Sequence, residues 1–466
     1  MAGYDDVISK RYASAEMKEI FSEQSIVRTW RKCWLSLAEA EHELGVKEIT
    51  KQMLSELRNT IDNIDFVAAE EKERETQHDI LAHIHAYGLA CPTAKRIIHL
   101  GATSQCIKCN ADLILQHKAL QLVRKDLMIL LKGFHSFIQQ NKNLQTLSYT
   151  HFQPAQPTTL GRRFCVYAQD FLMDLHELDS ILANYALRGA KGATGTQASY
   201  LTLLGDKRKV KKLDALFVKK LGFSRSYPIT TQTYTRKFDI RIASLLASAC
   251  ASAKKLATDL RLLANLGIVD EPFGKGQAGS SAMPYKRNPM LCERICSLSR
   301  KVMHSVGDFY QTYAEQWLER SLDDSAIRRI DIPENFMLTD YILRKLTCVI
   351  EGLDVHAQQS VRLVARELPF LATEDILLAC VKKGKGRQEC HELIKMHAIE
   401  AARQMKDAGK ENDLIERLSS DRRLGLSRKE LERILSSHSF IGLSVEQAED
   451  FLQQHLGKAI SARKGR

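Results

Sequence analysis

Residues 113–137 read LILQHKALQLVRKDLMILLKGFHSF, and their spacing decides the fold class. Leu113, Leu120, Leu127 and Phe134 recur every seven residues, with Val123, Leu130 and Phe137 at the complementary positions. An α-helix returns to the same face after about two turns, so this repeat draws one apolar stripe along a long helix. A second run follows, with Phe164, Phe171, Leu178 and Tyr185 interleaved by Ala168, Leu175 and Leu182. A third helix is expected over much of 232–266. Seven-residue spacing predicts near-parallel helices packed in a bundle. Strand-like alternation is scarce and no internal repeat of roughly 20–50 residues is present, so the expected fold is all-α.

The flanks extend the pattern. Residues 26–44 place Ile26, Trp30, Trp34, Leu37, Ala38 and Leu44 broadly on one helical face. A charged segment over 65–88 ends in QHDILAHIH at 77–85, and Cys91-Pro92 breaks it. After about residue 356 the helices are shorter, with charged faces, as at 390–405 and 429–435. None of the nine prolines falls between Pro157 and Pro228, between Pro228 and Pro272, or after Pro369, which leaves room for long helices. The expected organisation is an N-terminal helical domain over 1–103, a central bundle over 104–355 and a C-terminal helical domain over 356–466.

Composition excludes several classes. An apolar content of 44% and a charged content of 27% are ordinary for a globular chain. The net charge of +12 is spread among acids, and none of its densest clusters carries the interleaved aromatics that stack bases. That speaks against nucleic acid and for a bias toward small anions. No apolar run spans a bilayer and no signal-like segment opens the chain, so a cytoplasmic protein with eleven reduced cysteines is expected. Cys106-x-x-Cys109 has no second pair at zinc spacing, His78, His83 and His85 do not form HExxH, and Cys292 and Cys296 suit a buried helical face. No metal is expected. Rossmann, Walker and GxSxG signatures are missing too.

What remains is a set of polar loops at the ends of the long helices. They hold His78-Asp79, His99 with Thr103-Ser104, Thr150-His151, Gln232, and residues 271–294. The last stretch, EPFGKGQAGSSAMPYKRNPMLCER, opens on glycines and closes on Pro284 and Pro289, which argue against a helix running through it. Histidines that titrate near neutrality beside hydroxyls and cations suggest proton transfer on an anionic substrate.

Residues 279–289, GSSAMPYKRNP, resemble the signature loop GSSxMPxKxNP of the fumarase/aspartase superfamily. Tyr285 and Arg287 bring the resemblance to its adenylosuccinate lyase branch. RYAS at 11–14, HLGATS at 99–104, THFQPAQ at 150–156, GTQAS at 195–199, TYTRK at 233–237, RLLANL at 261–266, LDDSAIRR at 322–329 and ELPF at 367–370 are similar to that branch as well. The resemblance implies a three-domain fumarase/aspartase-type fold, a homotetramer with a 20-helix core, and active sites that each draw on three subunits. It implies cofactor-free β-elimination of fumarate from succinylated purine nucleotides and their precursors. The alternatives are another lyase of the superfamily, such as argininosuccinate lyase, or a non-catalytic protein on the same scaffold.

The implied base is Ser280, with Ser281 as the other assignment, and Lys286 would depress its pKa. His151 is the implied acid and Glu293 its orienting partner. Substrate binding carries over to Arg11, Tyr12, His78, Asp79, His99, Thr103, Ser104, Gln232, Asn288, Arg294, Arg320, Ser325 and Arg329. The chain departs from the pattern at Gln77, where an arginine is common. A phosphate contact there is then either missing or supplied by a neighbouring cation.

Overall fold

The computed structural model describes residues 6–274, 276–277, 282–283, 285–436 and 438–461. Among these, helices dominate and strands are confined to two two-stranded sheets. The helices used below are α1 (Val7–Arg11), α2 (Ala15–Ile20), α3 (Glu23–Glu43), α4 (Asp79–Ala90), α5 (Ser104–Asn141), α6 (Leu160–Ala183), α7 (Lys237–Asn265), α8 (Met290–Ala314) and α9 (Asp324–Glu351). The chain forms two compact units. One takes residues up to 128, 173–255 and 294–345; the other takes 129–172, 256–293 and 346 onward. The divisions fall inside α5 to α9, so each long helix contributes residues to both units.

The heptad reading holds. Leu113, Leu120, Leu127, Phe134 and Leu130 are all 0% exposed on the 38-residue α5. In the second unit Phe134 packs against Phe171 with ring centroids 5.8 Å apart, and Phe137 against Phe164 at 4.1 Å. Each such burial contributes about 1.5–3 kcal/mol, against a side-chain entropy cost of ordering. Cys106, Cys109, Cys292 and Cys296 are buried on helices, as small apolar residues are.

Two segments differ from the sequence reading. The stretch around Thr150, expected as a polar loop, is a β-hairpin of β1 (Gln145–Thr150) and β2 (Gln153–Thr159). Its prolines hid it: Pro154 and Pro157 lie in β2, a strand with a single partner, and a register shift at Leu147/Ser148 absorbs the irregularity. The charged segment over 65–88 is broken. Gln77 takes a left-handed conformation with φ 52°, ends one helix, and lets His78 cap α4.

In the first unit, Asp126 of α5 is buried and feels the charge of Asp340 on α9. Burial, and then the charge of Asp340, push the Asp126 carboxyl up to about 7. A carboxyl raised in the fold stabilises it fully only below the unfolded value, and that contribution is lost as pH rises through the folded one. The variant Asp126→Asn keeps the shape and removes the titrating group. Its melting temperature should match wild type near pH 4, move above it progressively up to about pH 7, and stay level beyond; a gap constant across that range would contradict the raised carboxyl.

Candidate active site

One group of predicted residues surrounds a cavity of about 400 Å³ in the first unit, lined among others by Asp79, Arg320, Ser325 and Arg329. Ser325, Arg328, Arg329 and Ile332 line it because positions three, four and seven apart share one face of α9. Asp79 is the first residue of α4. It pairs with Lys108, and its Oδ2 also accepts from Arg329 Nη2 at 3.0 Å. Burial works to raise the Asp79 carboxyl, but Lys108, the Ile80 amide and Arg329 together hold it below the usual carboxylate range. Gln77 sends its amide back to Arg74 O at 3.0 Å, and both Lys108 and Arg329 are cations beside the His-Asp pair.

Three more contacts order this face. The His78 Nδ1 accepts from the Leu81 amide at 3.4 Å, which leaves Nε2–H to donate to Ser104 Oγ at 3.3 Å. Ser104 is also the first residue of α5, where unpaired amides and the helix dipole favour anions. His99 Nδ1 accepts from Trp34 Nε1 at 2.9 Å. Burial, and then His78, push the His99 imidazole down to about 4, so it is neutral at physiological pH and keeps its proton on Nε2. Gln232 Oε1 accepts from Arg320 Nη1 at 3.3 Å.

Beneath these lies a buried ionic layer. Asp324, 0% exposed, accepts from Arg236 Nε at 2.8 Å and Arg320 Nη2 at 3.1 Å. Arg328 donates to Asp239 at 2.8 Å and Asp112 at 3.1 Å. Five cations and five carboxylates line the cavity, so its depth is close to balanced. Arg329, 65% exposed, is placed to turn from Asp79 to an incoming anion. Lys108, Arg236 and Asp324 were not singled out from sequence, although Arg236 and Asp324 lie within the TYTRK and LDDSAIRR motifs.

A second group in the same unit joins Tyr12 to Arg294 through Tyr341. The Tyr12 and Tyr341 rings meet edge to face at 5.0 Å, and Arg294 Nη1 donates to the Tyr341 hydroxyl at 3.0 Å. Arg11 is exposed at the end of α1, and Thr103 immediately precedes α5.

The second unit holds the rest. His151 and Phe152, with φ of 51° and 57°, form the two-residue tip of the β1–β2 hairpin. Two left-handed residues give the turn that suits strand twist, usually built from asparagine and glycine. Left-handed non-glycine residues are strained by about 1–3 kcal/mol and gather where geometry serves function; Gln77 and His99 share the feature. Within 271–294, Ser280 and Ser281 lie outside the described residues. The loop's ends are tied: Glu271 accepts from the Leu291 amide at 2.9 Å and the Cys292 amide at 2.5 Å, capping α8. Arg287 pairs with Asp354 at 3.3 Å and Asp270 at 3.6 Å, which braces the loop. Lys286 is exposed and Asn288 half-buried. Glu293, in the first turn of α8, lies 3.9 Å from Arg261.

A family model described as lyase matches residues 8–304, and one described as adenylosuccinate lyase C-terminus matches residues 369–451. The chain is 44% identical over 464 residues to the adenylosuccinate lyase of Schizosaccharomyces pombe, covering 99% of this chain and 96% of that one. It is 45% identical over 460 residues to the adenylosuccinate lyase of Saccharomyces cerevisiae, covering 98% and 95%. The chain belongs to the adenylosuccinate lyase family. Solved structures agree on the fold. A 3-carboxy-cis,cis-muconate lactonizing enzyme from Pseudomonas putida superposes with a TM-score of 0.85 at 21% identity, covering 98% of this chain and 100% of that one. A fumarate lyase from Mesorhizobium does so at 0.82 and 20%, covering 97% and 99%.

The buried layer makes a prediction. Asp324→Ala leaves Arg236 and Arg320 without their shared carboxylate and should cost about 3–5 kcal/mol in urea unfolding, whereas breaking the exposed Arg241–Glu177 pair should cost far less. Equal losses would show that the layer is not structural.

Proposed function

We propose that this chain is an adenylosuccinate lyase. It removes fumarate from adenylosuccinate, giving AMP, and from succinylaminoimidazole carboxamide ribotide, giving the aminoimidazole carboxamide ribotide, in purine nucleotide biosynthesis. The observation that carries this is identity of 44–45% over nearly the whole chain to proteins of that name. Retention of Ser280, Lys286, Asn288 and His151 together supports an active enzyme. The Tyr285 and Arg287 variant of the loop supports this substrate class over arginine-derived ones.

The chemistry follows from residue types. Ionised Ser280 takes a proton from the carbon next to a carboxylate of the succinyl group. The electron pair left behind spreads into that carboxylate, and Lys286, Asn288 and the Thr103-Ser104 turn stabilise the added charge. The carbon–nitrogen bond then breaks with its electrons going to nitrogen, and His151, oriented by Glu293, protonates it. Lys286 and the loop amides lower the serine pKa so that the base form exists. Positioned acid and base groups contribute on the order of 10²–10⁴ each in rate. Arg11, Tyr12, His78, Asp79, His99, Gln232, Arg294, Arg320, Ser325 and Arg329 hold the phosphate, sugar and carboxylates, for which arginine's paired donors are suited. No cofactor takes part.

The working form in this proposal is a cytoplasmic homotetramer with sites shared among three subunits. Exposed Trp317, Leu318 and Leu322, at 71%, 91% and 71%, support association. Among the described residues no helix is long and apolar enough to cross a membrane.

Fumarate release from adenylosuccinate tests the proposal. Ser280→Ala should lose several orders of magnitude in kcat while assembling as wild type does, and His151→Gln should lose on the order of 10²–10⁴. Near-normal turnover by Ser280→Ala would remove the base assignment, and release from argininosuccinate instead would remove the substrate class.

A further inference from the structure

Arg11 ends, and Tyr12 caps, the first of two helices too short to hold themselves in place. Helix α1 has five residues and α2 six, whereas isolated helices are marginal below roughly 12–15. Their position is set by α9, more than 300 residues away in sequence. Ser14, 7% exposed, donates its backbone N–H to Asp340 Oδ2 at 2.9 Å and its hydroxyl to Asp340 Oδ1 at 2.9 Å. The same hydroxyl oxygen accepts from the Met17 amide at 3.1 Å and so caps α2. One turn along α9, Arg344 Nη2 donates to Asp340 Oδ2 at 3.2 Å and to the Tyr12 carbonyl at 3.4 Å. Between them, Tyr341 meets the Tyr12 ring and accepts from Arg294. Asp340 is 0% exposed, so its charge is offset by these donors and not by water.

We infer that Asp340, acting through Ser14 and Arg344, is the positioning residue that sets Arg11 and Tyr12 for nucleotide binding, an inference that rests on the proposed function. Asp340 touches no substrate in this scheme. Its charge fixes the backbone at residues 12–14, and the side chains of Arg11 and Tyr12 take their direction from that backbone. Tyr341 extends the same anchor to Arg294, so three of the predicted binding residues depend on one turn and a half of α9.

The test uses the full-length chain and two variants. Asp340→Asn keeps the shape and removes the charge; Ser14→Ala keeps the Asp340–Arg344 pair and removes the hydroxyl's two bonds, to Asp340 and from the Met17 amide. Titration with AMP should show affinity falling by roughly tenfold or more in Asp340→Asn, the scale of one charge-assisted hydrogen bond. KM for adenylosuccinate should rise with it while kcat stays within about threefold. Ser14→Ala should shift both in the same direction and Ser14→Thr should restore them. Amide exchange over residues 7–20 should quicken in Asp340→Asn. Wild-type AMP affinity in both variants, or a fall in kcat as large as the rise in KM, would overturn the inference. If the wild-type chain binds no AMP, the functional proposal falls on its own, and unchanged exchange over 7–20 in Asp340→Asn would separately overturn the anchor. Should Asp340→Asn fail to fold, the Ser14 pair of variants decides.

Discussion

Asp324 is the constraint on which the first unit's cavity depends. Bringing Arg236 and Arg320 into a helical interior takes two guanidinium groups out of water, and a buried carboxylate between them makes that tolerable. Because Asp324 also begins α9, satisfying the two arginines fixes where that helix starts. One turn later Arg328 is satisfied by Asp239 and Asp112, and Ser325 and Arg329 are left facing the cavity. The binding face is the outer layer of a neutralised interior. At its mouth Arg329 remains exposed, paired with Asp79.

The first unit presents groups suited to binding, and the second presents groups suited to proton transfer. His78, His99 and Gln232 are held by hydrogen bonds that fix tautomer or direction. His151 stands at a hairpin tip in a conformation that histidine adopts at some cost, and the ends of 271–294 are tied by Glu271 and Arg287.

Much of the fold was legible because its driving force is periodic. Leu113 to Phe137 announce a helix through burial alone, and Cys292 and Cys296 read correctly as small apolar residues. The hairpin over 145–159 was not legible, since Pro154 and Pro157 mask its strand. The break at Gln77 escaped as well, because a left-handed glutamine has no sequence signal of its own. In the site, motif residues could be named but not their partners. Asp79 meets Arg329 across 250 positions and Ser14 meets Asp340 across 326, pairings that no local spacing encodes. Lys108 and Tyr341 were missed for that reason.

The most direct measurement is a crystal structure of the assembled enzyme with AMP and fumarate bound. The account predicts AMP against Asp79, Arg320, Ser325 and Arg329, its exocyclic nitrogen within hydrogen-bond reach of a His151, and fumarate between that histidine and the Ser280 hydroxyl. A nucleotide bound elsewhere, or a fumarate carbon facing neither Ser280 nor Ser281, would contradict it.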